Sequence, residues 1–186
     1  MRMTWNIPNT LTILRILAIP LILVLFYLPI KHSGEYSGII FALAGFTDWF
    51  DGYLARKLGQ TSRFGEFLDP VADKLMVAVI LILLVEHYGN VWITLSAMII
   101  IGREITISAL REWMAGVGES GKVAVSYLGK VKTTVQMFAL FFLLYEVPLI
   151  GVPTAKLGLV LLLIAAILTL WSMLSYLKAA FTEEST

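Results

Sequence analysis

Asp48, Asp51, Asp69 and Asp73 are the residues of this chain best suited by type and spacing to do chemistry. They stand in predominantly apolar sequence, where an ionised side chain is costly and marks a functional site by default. Asp48 and Asp51 are three residues apart, and Asp69 and Asp73 four, so each pair shares one face of a helix. The two predicted helices are consecutive and antiparallel. Counted from the loop between them, Asp51 matches Asp69 in depth, and Asp48 matches Asp73. At 1.5 Å rise per residue the set covers only about 5–6 Å along each helix. Four carboxylates so close cannot all be ionised without positive charge among them. Divalent cations supply that charge, and carboxylate oxygens suit Mg²⁺, Mn²⁺ or Ca²⁺. The bland alternative is two pairs of helix-end aspartates in headgroup water; the matched depth on consecutive helices counts against it.

Other chemistries are excluded by composition. The chain has no cysteine, which removes disulfides, thiolate metal sites and a Cys nucleophile. Its two histidines, His32 and His87, fall at the opposite ends of the predicted helices from the aspartates, so neither is a catalyst for them. Gly116 to Val123 brushes against a phosphate-binding loop, but Val123 stands where Ser or Thr must reach the metal, and a helix precedes it instead of a strand. Cations do gather near the aspartates: Arg15, Arg103, Lys130 and Lys132 share the same predicted layer. Metal ions beside cations make a site for phosphates. For each cation singly, snorkelling to the headgroups is the alternative.

The elements that must carry these residues are membrane helices. Of 186 residues, 59% are hydrophobic, and the mean hydropathy is +0.85, whereas soluble domains sit nearer 45–50% apolar. About 20 apolar residues cross a bilayer. Six such stretches are marked: Pro8–Ile30, Ser37–Lys57, Glu66–Glu86, Val91–Trp113, Val131–Tyr145 and Pro153–Lys178, the fifth short and able to begin near Ala124. Asn6 would cap the first, with Pro8 in its opening turn. The expectation is an all-α polytopic membrane protein of six spans, residues 1–186 forming a single domain. The opening apolar run is too long for a cleaved signal. Nine lysines and arginines of the tails and loops fall on one side and two, Lys31 and Lys156, on the other. The positive-inside rule then puts both termini, and the aspartates, on the cytoplasmic side of the inner membrane. A net charge of +1 gives no footing for nucleic acid.

The run Asp48-Trp-Phe-Asp51-Gly52-Tyr-Leu-Ala55-Arg56, then eight residues, then Gly65-Glu-Phe-Leu-Asp69-Pro-Val-Ala-Asp73 resembles the signature of the CDP-alcohol phosphotransferases, D-x-x-D-G-x-x-A-R-x8-G-x3-D-x3-D, at every fixed position. Ile7-Pro8-Asn9 to Arg15, Gly102-Arg103-Glu104, Ala109 to Trp113, and Gly129-Lys130-Val-Lys132-Thr133-Thr134 to Gln136 resemble the bacterial branch of that family that uses glycerol 3-phosphate. The resemblance implies transfer of a phosphatidyl group from CDP-diacylglycerol to sn-glycerol 3-phosphate, with release of CMP, by a homodimer. It implies two metal ions, Mg²⁺ or Mn²⁺, held by Asp48, Asp51, Asp69 and Asp73, with Asp73 also the general base. It puts Gly52, Arg56 and Ser62 against the cytidine diphosphate, and makes Ala55 and Gly65 fixed positions of the donor site.

The residues themselves leave several roles open. Gly52 and Ala55 thin the wall of their helix for a nucleotide, or simply allow close helix packing. Arg56 can fork onto a phosphate, or be an ordinary positive-inside residue. Asn9 and Thr12 can satisfy polar groups near the nucleotide, or cap and pack the first helix. A dianionic acceptor wants a basic pocket, for which Arg103, Lys130, Arg111 and Lys132 are the candidates in that order. Glu104 can orient Arg103, and Thr133 and Gln136 can line the same pocket. The signature is shared by enzymes with other alcohol acceptors, such as inositol phosphate. A cation transporter using the aspartates is the remote rival; it would need an acidic relay across the outer half.

Overall fold

The computed structural model describes the backbone of residues 7–58, 63–118, 127–149 and 151–181, and their side chains apart from 7, 8, 48–58, 63, 64, 66, 127, 128, 176 and 178–181. Six helices account for nearly all of it: α1 (Ile7–Tyr27), α2 (Ser33–Leu58), α3 (Arg63–Tyr88), α4 (Val91–Gly116), α5 (Tyr127–Tyr145) and α6 (Thr154–Phe181). Each coincides with one expected stretch, and α5 starts between the two expected positions. Asn90 caps α4, its side chain accepting from the Trp92 amide at 2.8 Å. The expected cap Asn6 lies outside the described residues.

Among the described residues, three helices carry windows long and apolar enough to cross a membrane: Asn9–Tyr27, Val91–Gly116 and Thr154–Ser175. At 1.5 Å per residue, the 26 residues of α2 and of α3 reach about 39 Å and the 19 of α5 about 28 Å. Length does not separate them from the others. α2 carries Glu35, Asp48, Asp51, Arg56 and Lys57, and α3 carries Arg63, Glu66, Asp69, Asp73, Lys74 and Glu86.

The helices close into a ring in the order α1, α2, α5, α6, α4, α3, with α3 also touching α5 across the middle. Among the described residues α2 and α3 do not pack on each other, although only a short loop joins them. Both instead flank α1 on one side and α5 on the other. α1 and α3 run parallel in constant register, since Thr12 meets Asp69, Arg15 meets Asp73 and Tyr27 meets Glu86.

Ile22, Phe41, Met76, Ile80, Leu84, Ile100, Leu140 and Leu143 fill the centre and are almost wholly buried. The outer faces are just as apolar: Leu17 and Val24 on α1, Met98 and Ile105 on α4, Ile167 and Trp171 on α6 are all exposed. A bundle greasy inside and out is built for lipid, where every backbone group must be satisfied within its own helix. Small residues bring the backbones together. A Cβ on Gly38 would lie 3.1 Å from Cα of Tyr145, and one on Gly158 would lie 3.0 Å from the Leu143 nitrogen, so a larger residue at either position would crowd α5.

Candidate active site

α1 brings a polar stripe into this apolar frame. Asn9, Thr12 and Arg15 recur every third residue and all three are buried. Thr12 Oγ1 donates to Asp69 Oδ1 at 2.5 Å. Arg15 Nη1 donates to Asp73 Oδ1 at 2.6 Å, with the Arg15 side chain fully buried and that of Asp73 43% exposed. Each aspartate of α3 is therefore held by a donor from α1 while staying open enough to meet a ligand. Pro70 follows Asp69 inside α3; lacking an N–H, it removes one backbone hydrogen bond beside the pair.

Asp69 and Asp73 open into a cavity of about 320 Å³, shared with Lys74 of α3, Glu104 of α4, and Lys132, Thr133 and Gln136 of α5. That is the size of a small-ligand site. Glu104 Oε1 accepts from Arg103 Nη1 at 2.7 Å and from Lys132 Nζ at 2.9 Å. Arg103 and Lys132 are both buried, and such cations are tolerable because the one carboxylate joins them. Lys74 Nζ donates to Ser108 Oγ at 2.6 Å, tying α3 to α4. An apolar hollow of about 360 Å³ adjoins, sharing Lys74, Val77 and Glu104 and otherwise lined by residues such as Ile100, Ile101 and Ile105. The site thus has a charged floor and one greasy flank.

The expected site residues divide as follows. Asp69, Asp73 and Lys132 meet in the cavity, and Arg103 reaches it through Glu104. Asn9 and Thr12 are buried on α1, with Thr12 engaged by Asp69. Gly65 is buried near the start of α3. Lys130 and Arg111 are exposed and do not line the cavity. Asp48, Asp51, Gly52 and Ala55 fall at i, i+3, i+4 and i+7 of α2, hence on one stripe; their side chains and that of Arg56 lie outside the described residues, as does Ser62 altogether. Among the described residues no three acidic or imidazole groups converge as a metal cluster. The donor chemistry still fits a hard cation: two carboxylates one turn apart, both partly exposed to the same cavity, each steadied through one oxygen.

Two contacts could not be read from the sequence. Arg15 is the partner of Asp73, and its signal was an arginine in phase with Asn9 and Thr12. Glu104 joins the cations of two helices, and nothing in the spacing of residues 104 and 132 announces that contact.

Comparison with known proteins follows the same residues. A family model described as CDP-alcohol phosphatidyltransferase matches residues 5–171. The chain is 55% identical over 178 residues to the CDP-diacylglycerol--glycerol-3-phosphate 3-phosphatidyltransferase of Salmonella choleraesuis (strain SC-B67), with 96% of each chain covered. It is 54% identical over 178 residues to the protein of that name in Escherichia coli (strain K12), again with 96% of each covered. The match takes in both aspartate pairs, the polar stripe of α1 and the cavity walls from α4 and α5. With the signature intact and similarity running almost end to end, this chain belongs to the CDP-alcohol phosphatidyltransferase family.

Proposed function

We propose that the chain transfers the phosphatidyl group of CDP-diacylglycerol to sn-glycerol 3-phosphate, giving phosphatidylglycerophosphate and CMP. The observation that carries this reading is 54–55% identity over nearly the full chain to relatives named for that activity. The cavity supports it: a phosphorylated acceptor needs cations, and Arg103 and Lys132 stand beside the aspartates. A lipid donor needs an apolar flank, which the adjoining hollow supplies.

The free primary hydroxyl of the acceptor attacks the lipid-side phosphorus of the donor. A new P–O bond forms, the bond to CMP breaks, and the hydroxyl proton passes to Asp73. Arg15, anchored in the core, fixes Asp73 in one orientation, and Thr12 does the same for Asp69. Asp48, Asp51, Asp69 and Asp73 are the residues that would hold two divalent cations, Mg²⁺ or Mn²⁺. When bound, such ions neutralise the diphosphate and stabilise the departing CMP. Asn9, Gly52, Ala55, Arg56, Ser62 and Gly65 would form the donor's nucleotide side, and Arg103 and Lys132 the acceptor's phosphate side. Lys130 and Arg111, being exposed, suit attraction of the anionic acceptor better than its final grip.

The same reading makes residues 1–186 one domain of six membrane spans in the bacterial inner membrane, forming a homodimer. Both termini and the cavity would face the cytoplasm, as the nine-to-two bias of basic residues favours. The test is CMP release by the purified full chain, given CDP-diacylglycerol with glycerol 3-phosphate, inositol phosphate or serine, each with and without chelator. Turnover is expected with glycerol 3-phosphate alone, and chelator should abolish it. Preference for another alcohol, or turnover indifferent to chelator, would overturn the reading.

A further inference from the structure

Gln136 is only 3% exposed and lines the polar cavity with Asp69, Asp73, Glu104 and Lys132. Its Oε1 atom is buried without a hydrogen-bond partner among the described residues. Buried polar atoms are almost always paired, and an orphan in a functional cavity calls for a ligand group. Lys132 lies one turn earlier on the same face of α5 and is committed to Glu104. The cavity wall from α5 therefore offers two chemistries side by side, a cation and a neutral amide.

The unpaired Oε1 is the wrong partner for a phosphate, whose oxygens can only accept. A hydroxyl suits the amide in either orientation. It donates to Oε1, and were the amide turned about its last torsion it would accept from Nε2. In the proposed reaction the acceptor's phosphate is met by cations and its primary hydroxyl is the nucleophile. Its secondary hydroxyl remains to be recognised.

We propose that Gln136 is a specificity-determining residue of the acceptor pocket, its buried amide oxygen accepting a hydrogen bond from the acceptor's secondary hydroxyl. The inference rests on the reaction proposed above and adds a means of selection to it. An alcohol phosphate lacking that hydroxyl would close the pocket over an unpaired amide, so Gln136 discriminates by the penalty it imposes on the wrong acceptor.

The test compares kcat/KM for glycerol 3-phosphate and for 3-hydroxypropyl phosphate, which differs only in lacking the secondary hydroxyl. The purified full chain and Gln136→Met, apolar and of similar length, are assayed with Mg²⁺. The unaltered chain is expected to prefer glycerol 3-phosphate by about 10- to 100-fold. In Gln136→Met the preference should fall to about threefold or less, with the KM for CDP-diacylglycerol unchanged. Should that variant not accumulate in folded form, Gln136→Asn carries the same expectation, since it draws the amide back by one methylene. Equal use of both acceptors by the unaltered chain, or an undiminished preference in the variant, overturns the assignment of Gln136 and leaves the reaction standing. No turnover of either acceptor by the unaltered chain overturns the reaction, and this inference with it.

Discussion

The two ends of the bundle both carry ionisable groups, and they use them differently. At the far end Tyr27 donates to Glu86 at 2.9 Å, His87 meets Glu146, His32 meets Glu35, and Tyr88 donates to the Leu143 carbonyl at 2.9 Å. Glu146 follows the last residue of α5 with φ 60, so the chain leaves that helix through a left-handed residue that is also paired to α3. Apart from Tyr88 these groups form exposed pairs. At the site end Arg15, Arg103 and Lys132 are buried, the carboxylates they meet are partly open, and those carboxylates line a cavity that also holds an unpaired amide oxygen. Exposed, satisfied pairs fasten helix ends together and are individually worth little. Buried cations facing open carboxylates cost stability unless they have work to do.

Breaking the contrast at its strongest point means removing the partner of Asp73. Arg15→Met leaves Asp73 partly exposed, so the bundle should fold, but the carboxylate loses its orientation. The kcat for CMP release is expected to fall by about 10²-fold, with folding checked by thermal unfolding in detergent; an unchanged kcat would reduce Arg15 to a packing residue. Arg103→Ala should act on the acceptor. A rise of about tenfold in the KM for glycerol 3-phosphate, with that for CDP-diacylglycerol nearly constant, would sharpen the division of the cavity into two subsites. Equal effects on both substrates would put the acceptor pocket elsewhere. The smallest effect belongs to the far end. His87→Gln is expected to keep kcat/KM within about twofold and to cost less than about 1 kcal/mol in stability. A loss of activity there without loss of stability would mean that the two ends communicate.

Much of this contrast could be read from the sequence, because a charge in a greasy helix is conspicuous. The six helices, the pairing of acids by spacing and the nearness of Arg103 to them all follow from periodicity and hydropathy. What could not be read is which charges meet. Short loops suggest that consecutive helices pack together, yet among the described residues α2 and α3 are kept apart, with α1 and α5 each touching both. Arg15 and Asp73 are 58 residues apart, and Glu104 and Lys132 are 28 apart. Only the ring order brings them into contact. The ranking of the acceptor cations changed for a local reason. Lys130 and Lys132 are two residues apart, about 200° around α5, so they point to opposite sides, and Lys132 is the one that lines the cavity. Arg111 lies two turns beyond Arg103, about 12 Å along α4.

The central claim is that Asp73, held by Arg15, takes the proton of the attacking alcohol. Asp73→Asn keeps the shape and a hydrogen-bonding group but removes the base. CMP release from CDP-diacylglycerol and glycerol 3-phosphate should drop by about 10³-fold, while binding of CDP-diacylglycerol, followed by isothermal calorimetry on the detergent-solubilised chain, persists. Turnover within about tenfold of the unaltered chain would contradict the claim and leave the proton to another group of the cavity.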